Sequence, residues 1–447
     1  AAGRSDAAVI VIGRTAGEDR DASAEKGSYL LTDLEEDMLE KVCRLFKKSI
    51  VVLNVGNIID MKWVEKYNPS AVLYTWQGGQ EGGHSAADVL TGRVNPCGKL
   101  ADTIARDISD YPSTENFGGG DFDIYAEDIY VGYRYFETFA RDKVLYPFGF
   151  GLSYTSFRIE CGPIKRLDGE TSVCVKVTNA GSCAGKEVVQ MYVEPPQGKL
   201  GKPSRNLATF AKTKCLQPGE SQELVLKVTD YYISSYDDSG AAGFKSCYVL
   251  ENGSYGIYVG TDVRGAEAAG SFYIPETIAT SVCTEAAGPV RQFKRMRAKE
   301  GGALAWEEAP LRTHKMQERI HKEILPDITY TGNKGFALGE VFDRDISLNE
   351  FLAQLSEEDL CCIVRGEGMC SPKVTPGTAA AFGGVTESLQ KLGIPCGCCA
   401  DGPSGIRMDC GTPAFSMPNG TCLACTFDTE LSEELYEMEG AELRKNR

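Results

Sequence analysis

Residues 8–21 read AVIVIGRTAGEDRD, and this stretch decides how the first part of the chain folds. Its opening run, residues 8–13, is continuously apolar, as expected of a strand buried on both faces of a sheet. A polar loop follows from Arg14 to Gly27. Thr32-Asp-Leu-Glu35 is then a capping box, the start signature of a helix running to about Lys47. SIVVLNVG (49–56) is a second buried strand, MKWVEKY (61–67) a helix and AVLYTW (71–76) a third strand. A Gly-rich turn leads into a helix from about Glu81 to Leu90. Strands alternating with helices predict a mostly parallel α/β sheet. Ligands bind such sheets at the carboxyl ends of the strands, which places the loop 13–21 at the productive edge.

Working outward, Tyr130–Thr155 is aromatic and turn-rich and reads as a loop-dominated closing segment. From about Phe157 the pattern changes to alternating strands: TSVCVKVTN (171–179), EVVQMYVE (187–194), QELVLKV (222–228) and GSYGIYVG (253–260). Asn179-Ala-Gly181 and Gln217-Pro-Gly219 supply turns between them, which predicts a β-sandwich of about 100 residues, immunoglobulin-like in architecture. Residues 276–345 read as a long connector with some helix between Leu311 and Glu323, part of it packed on a neighbour. From Ser347 the pattern is α/β again. Ser347-Leu-Asn-Glu350 caps a helix to about Val364, IPCGCCAD (394–401) is a buried strand, and a last helix starts at Asp428. No internal repeat is evident.

The chain has 447 residues, a length that suggests about three domains. Lys+Arg number 47 and Asp+Glu 63, so the net charge is −16, which argues against a nucleic-acid or anionic-membrane partner. No apolar run reaches the ~20 residues that a membrane span needs. The chain starts at Ala1 with no visible signal peptide, so the expectation is that this is not its natural start. Its 17 cysteines are an odd number in a long chain with ample apolar residues, which reads as reduced thiols in a cytoplasmic protein. The pair Cys422 and Cys425 forms a C-x-x-C, but Cys396, Cys398, Cys399 and Cys410 do not complete a zinc spacing. Buried or partly buried thiols are expected instead, with no metal. Asn252-Gly-Ser254 and Asn419-Gly-Thr421 match a glycosylation sequon, which a cytoplasmic chain would not use.

Two places carry candidate chemistry. The loop after the first strand holds Glu18, Asp19 and Asp21 among Arg14 and Arg20; its glycines lack the G-x-G-x-x-G spacing of a dinucleotide site. It is either a site of acid–base chemistry or a solvated, self-neutralising loop. Asp401, in CADGPSGIR (399–407), ends a strand before Gly-Pro. It either holds a polar ligand or closes a turn on its own backbone. Tyr74 and Trp76, beside Gln77–Gly83, either line a sugar-binding face or belong to the core. GGGDFDIYAED (118–128) lacks the Gly and terminal Glu of a calcium loop. His84, His314 and His321 are not at zinc spacing, and G-x-S-x-G is absent.

Taken together, AVIVIGRTAGEDRD, WQGGQEGG (76–83), NPCGKLADT (95–103), EDIYVGYRYFET (127–138) and YPFGFGLSYT (146–155) resemble the α/β-sandwich domain of family 3 glycoside hydrolases. The strands that follow resemble that family's fibronectin-type-III-like domain, and LGIPCGCCADGPSGIR (392–407) resembles the start of its (β/α)₈ barrel. The resemblance implies a partial α/β-sandwich domain over 1–155, the β-sandwich over 156–275, a connector over 276–345 and the beginning of the barrel over 346–447. This is the reversed domain order of a β-glucosidase subgroup. By position, Glu18 matches the family's acid/base; the loop is shorter than the family's Ser-Gly-Glu-Gly-x-Asp-Arg, and Asp19 is the alternative. Asp401 matches the carboxylate that holds the non-reducing sugar's hydroxyls, and Arg407 the nearby arginine.

The resemblance implies an exo-acting retaining β-glucosidase without a cofactor, acting on a β-glucoside or oligosaccharide. A β-xylosidase or other exo-glycosidase of the family is an alternative, and a catalytically inactive carbohydrate-binding or scaffold protein is another. The family's nucleophile is the Asp of a Ser-Asp-Trp-like motif, and none of Trp63, Trp76 and Trp306 follows an Asp. A full barrel takes about 250 residues. The expectation is a chain cut at both ends, inactive alone, whose partner is the remainder of the barrel and sandwich. A homo-oligomer is left open.

Overall fold

The structure, a computed structural model, describes residues 3–15, 21–299, 301–325, 327–369, 371–373, 377–408 and 411–446. It forms two compact units, Ala1–Thr313 with Thr421–Asp428, and His314–Gly420 with Thr429–Arg447.

In the first unit, β1 (Ala8–Arg14), β2 (Ser49–Val55) and β3 (Ala71–Tyr74) form a parallel sheet in the order β1-β2-β3. The helices α1 (Asp33–Leu45), α2 (Lys62–Tyr67) and α3 (Gly82–Leu90) alternate with them. The expected capping box starts α1: Thr32 Oγ1 accepts from the Glu35 N–H, and the Glu35 carboxylate accepts from the Thr32 N–H. Ile10, Ile12, Leu39, Val51, Leu53, Val55 and Trp63 make the core. Each such side chain contributes about 1.5–3 kcal/mol on full burial. The central strand β2 is buried as expected, but β1 is not buried on both faces. Val9 and Val11 are 53% and 62% exposed, because β1 is the outer strand and only its Ile10/Ile12 face meets the core.

The closing segment is more regular than its aromatic composition suggests. Strand β4 (Ile104–Ala105) pairs with β5 (Val144–Tyr146), and α4 (Tyr133–Phe139) lies between them in sequence. Tyr133, Phe136 and Ala140 recur at helical spacing, and Phe136 is buried with Ala105, Ala140 and Val144.

The β-sandwich follows with β6 (Phe157–Leu167), β7 (Glu170–Asn179), β8 (Val188–Glu194), β9 (Asn206–Lys212), β10 (Ser221–Thr229), β11 (Ser235–Asp237), β12 (Cys247–Leu250), β13 (Gly253–Gly260) and β14 (Glu267–Ile274). One sheet has the order β10-β7-β6, the other β14-β13-β8-β9. Asp168 and Gly169 both have positive φ, 49° and 76°, the two-residue turn whose twist matches the β6–β7 hairpin. Val175, Val177, Val189, Met191, Leu226 and Ile257 are among the inward-facing residues of the two sheets.

The connector is structured. Strand β15 (Ile278–Val282) pairs with β12, and β16 (Lys294–Ala298) and β17 (Leu304–Glu308) form a hairpin. This hairpin buries Met296 and Ala298 against Tyr130, whose hydroxyl accepts from the Ala298 N–H at 2.8 Å. Packing on a neighbour, rather than local propensity, orders it.

The second unit contains α5 (Met316–Glu323), α6 (Leu338–Asp343), α7 (Leu348–Ala353), α8 (Glu357–Arg365), β18 (Glu367–Gly368), β19 (Ala380–Gly383), α9 (Glu387–Lys391), β20 (Cys396–Cys399) and the last helix (Thr429–Lys445). The single helix expected over 347–364 is two, because Ser356 and Asp359 form a second capping box that restarts the chain as α8. The expected buried strand is β20, but Cys396, Cys398 and Cys399 are exposed. Its sheet, β18-β19-β20, is antiparallel, so the barrel expectation rests on the resemblance and not on strand pairing here. No helix among the described residues is long and apolar enough to cross a membrane.

Candidate active-site elements

The carboxyl edge of the parallel sheet is built first by Arg14, the last residue of β1. Its guanidinium holds Glu35 in a two-pronged pair, at 2.6 and 2.7 Å, and donates from Nε to the Ser28 carbonyl at 3.1 Å. Both ends of the loop after β1 are therefore fixed by one planar fork. Burial pushes the Glu35 carboxyl up, but Arg14 and Thr32 more than offset this and hold it below the usual glutamate range. Glu18, its alternative Asp19, and Arg20 lie outside the described residues. Asp21 is exposed.

At the end of β3, Trp76 has φ 53°, an uncommon conformation for a bulky residue, and is 4% exposed. Its ring packs on Tyr74 at 4.3 Å. Of the two readings of these aromatics, the core one holds. The reason is the segment Thr421–Asp428, which returns to the first unit and covers this edge. The Lys99 N–H donates to the Cys425 carbonyl at 2.8 Å, Lys212 Nζ donates to the Thr426 carbonyl at 2.6 Å, and Phe427 packs on Phe148 and Phe210. The C-x-x-C is part of this plug. Burial pushes the Cys425 thiol up to about 12, the opposite of what a metal ligand needs. Among the described residues no three His, Cys, Asp or Glu side chains are grouped to hold a metal. The expectation of buried or partly buried thiols holds at Cys422 and Cys425 but fails at Cys396, Cys398 and Cys399; nine of the fifteen described cysteines are exposed, and none of the fifteen forms a disulfide. Cys161 and Cys174, for example, occupy outward positions of β6 and β7.

Sequence reasoning passed over Asp102. It precedes β4, burial raises its carboxyl above the usual range, and it makes no hydrogen bond among the described residues. The signal was present in Leu100-Ala-Asp102, an acid directly after apolar residues. It also missed the buried ion pair Lys99–Glu187, at 2.9 Å, which joins the segment before β4 to the start of the sandwich.

In the second unit the structure brings Asp401 and Arg407 together. Their backbones form a β-bridge, the Arg407 N–H donates to the Asp401 carbonyl at 2.8 Å, and Arg407 Nη1 lies 3.6 Å from Asp401 Oδ2. Asp401 Oδ1 also accepts from the Gly402 N–H at 2.8 Å. The turn is tight. A Cβ on Gly402 would lie 2.0 Å from the Gly405 carbonyl oxygen, and one on Gly405 would lie 2.2 Å from that of Phe415. Both glycines have φ above 110°. The turn and ligand-holding readings of Asp401 are thus compatible: the backbone closes the turn, while the carboxylate and guanidinium stay more than half exposed.

Residues 1–154 match the glycosyl hydrolase family 3 C-terminal domain, and residues 187–263 match a fibronectin type III-like domain. A β-glucosidase of Ruminococcus albus is 54% identical over the whole of this chain, which covers 47% of it. β-Glucosidase A of Butyrivibrio fibrisolvens is 36% identical, again over the whole chain and over 60% of its own length. The crystal structure of a β-glucosidase from Paenibacillus barengoltzii matches 99% of this chain and 50% of its own, with a TM-score of 0.95 and 51% identity. β-Glucosidase 3B from Thermotoga neapolitana, solved with glucose, matches 63% of this chain at a TM-score of 0.58. The chain spans about half the length of the Ruminococcus albus and Paenibacillus barengoltzii enzymes. With the α/β domain, the fibronectin-like sandwich and a β-glucosidase likeness along its entire length, the chain belongs to the β-glucosidase-like family 3 glycoside hydrolases.

Proposed function

We propose that this chain is part of an exo-acting retaining β-glucosidase that releases terminal non-reducing β-D-glucosyl residues. The observation that carries this is the 54% identity to the Ruminococcus albus β-glucosidase across the full chain. In this proposal residues 346–447 begin the (β/α)₈ barrel, supported by the likeness of nearly the whole chain to the Paenibacillus barengoltzii enzyme. The nucleophilic aspartate lies in the part of the protein beyond this chain, and the chain alone does not turn over substrate. The protein works in the cytoplasm.

The roles follow from the chemistry of a retaining pair, whose two carboxyls stand about 5–5.5 Å apart. Glu18 is the acid/base. It protonates the leaving oxygen as the nucleophile attacks, its proton held by the nearby negative charge, and then activates water against the glycosyl-enzyme. The anchored Arg14–Glu35 fork gives its loop fixed ends. Asp401 and Arg407 hold the sugar hydroxyls, the exposed carboxylate accepting and the guanidinium donating charge-assisted hydrogen bonds. The test is turnover of aryl β-glucosides by the full-length protein carrying Glu18→Ala. Loss of about 10²–10⁴-fold is expected on substrates with poor leaving groups, and much less on those with good ones. Wild-type turnover on poor leaving groups would remove Glu18 from the role.

A further inference from the structure

A cavity of about 380 Å³ opens in the first unit where three parts of the chain converge: the segment ahead of α4, the β-sandwich loops, and the β16–β17 hairpin. It shares no residue with the loop after β1 or with Asp401 and Arg407. Its volume falls within the usual range of ligand sites, about 300–1,000 Å³, and junctions between domains are where such sites concentrate.

The floor is a closed ionic network. Arg295 is held by Asp128 at 2.8 Å, by Asp238 at 2.5 and 3.1 Å and by Glu307 at 2.8 and 3.0 Å. Arg297 pairs with Glu307 as well and donates to the Lys199 carbonyl. Three carboxylates thus face two guanidiniums, and with Lys199 and Arg134 also on the lining the charges come close to balance, which suits a neutral ligand. One wall is a tyrosine ladder: Tyr236 packs on Tyr248 at 5.2 Å, and Tyr231 packs on Tyr248 and Tyr232 at 5.1 and 5.5 Å. Tyr232, Tyr236 and Tyr248 line the cavity. Tyr232 is 73% exposed, a large ring left uncovered beside a polar floor. Arg134 stands exposed at the cavity, with no hydrogen bond or ion pair from its side chain among the described residues, and Ser235 adds a free hydroxyl.

We propose that this cavity is a non-catalytic binding site for a neutral oligosaccharide. A pyranose offers what these walls lack: an apolar C–H face for the tyrosine rings, and hydroxyls that donate to Asp238 and accept from Arg134. The ligand class comes from the lining alone and stands even if the hydrolytic role does not.

The experiment is calorimetric titration of the full-length protein with thio-linked cellotriose, which glycosidases do not cleave, while an iminosugar saturates the hydrolytic site. Saturable binding is expected to remain under the iminosugar. It should weaken about tenfold or more in the double variant Tyr232→Ala/Tyr236→Ala, with kcat/KM on an aryl β-glucoside unchanged. Tyr232→Trp should keep binding and report it as a shift in indole fluorescence. The proposal is overturned if the iminosugar abolishes all binding, if inorganic phosphate displaces the trisaccharide, or if the double variant binds as tightly as wild type. It is overturned equally if the Tyr232→Trp reporter, whose fold does not depend on removing a ring, gives no response.

Discussion

Replacing Lys202 by Met should destabilise the protein far more than a single surface charge would. Lys202 and Glu251 are 1% and 4% exposed, and they pair directly. The ammonium also donates to the Pro196 carbonyl at 2.6 Å and to that of Gln197 at 3.3 Å. The Glu251 carboxylate further accepts from the N–H groups of Lys199 and Leu200, at 2.7 and 3.3 Å. In Lys202→Met the carboxylate stays buried with only those two donors, and the Pro196 carbonyl loses its donor, while that of Gln197 keeps the Gly201 N–H at 3.2 Å. Breaking one side of a buried pair costs about 3–5 kcal/mol. At about 2–4 °C per kcal/mol for a body of this size, the melting temperature should fall by about 6–20 °C. Glu251→Gln added to Lys202→Met removes the stranded charge but keeps an acceptor for the N–H groups, so the double variant should recover about 1–3 kcal/mol. Urea unfolding followed by circular dichroism closes the cycle. A single-variant loss below about 1 kcal/mol, or a double variant as unstable as the summed singles, would show that the pair is not the fastener of the 196–202 loop.

Asp401→Ala should lower kcat/KM on β-glucosides about 10–150-fold, the worth of one charge-assisted hydrogen bond to substrate, yet hardly move the melting temperature, because its 3.6 Å pair with Arg407 is exposed. Equal loss of stability and activity would reduce Asp401 to closing its turn. Alkylation read by mass spectrometry should label Cys396, Cys398 and Cys399 in the native protein and spare Cys425, whose thiol sits near 12 and is buried, until denaturant is added. The Arg14–Glu35 anchor has a pH limit: because the folded protein holds Glu35 below the usual glutamate range, its contribution is complete above that range and is lost as the pH falls through the depressed value. Limited proteolysis within residues 15–27 should therefore accelerate below about pH 4, and Glu35→Gln should show fast cleavage at every pH.

The legible parts of the fold were those whose signal is local. The Thr32 and Ser347 capping boxes, the Val/Ile-rich β2 and the alternation of β7 and β10 each follow from residues a few positions apart. What was misread depends on distant partners. The apolar run of β1 looks like a central strand, but Val9 and Val11 are more than half exposed, and no local pattern tells an edge from a centre. The β16–β17 hairpin is ordered by Tyr130, more than 160 residues away in sequence, so its two strands had no local signal within the connector. The turn after Asp401 was legible because Gly402-Pro follows it, and Gly402 and Gly405 allow the close approaches it needs. Asp102 was not, since its burial depends on long-range packing.

The cysteine pair at 422 and 425 shows how spacing misleads when burial decides. In sequence it is a metal motif; in the structure Cys425 lies under the sheet edge and its neighbour Phe427 fills the space between Phe148 and Phe210. The chain leaves the first unit at Thr313, returns for Thr421–Asp428, and leaves again for the last helix. The return inserts an aromatic and a thiol where the sheet would otherwise offer Trp76 and Tyr74 to a ligand. A plug of this kind removes one aromatic platform from the sheet's carboxyl edge. Among the exposed tyrosines of the first unit, Tyr232 and Tyr236 are the ones that line a cavity, which is why sugar stacking is assigned there and not to the strand ends.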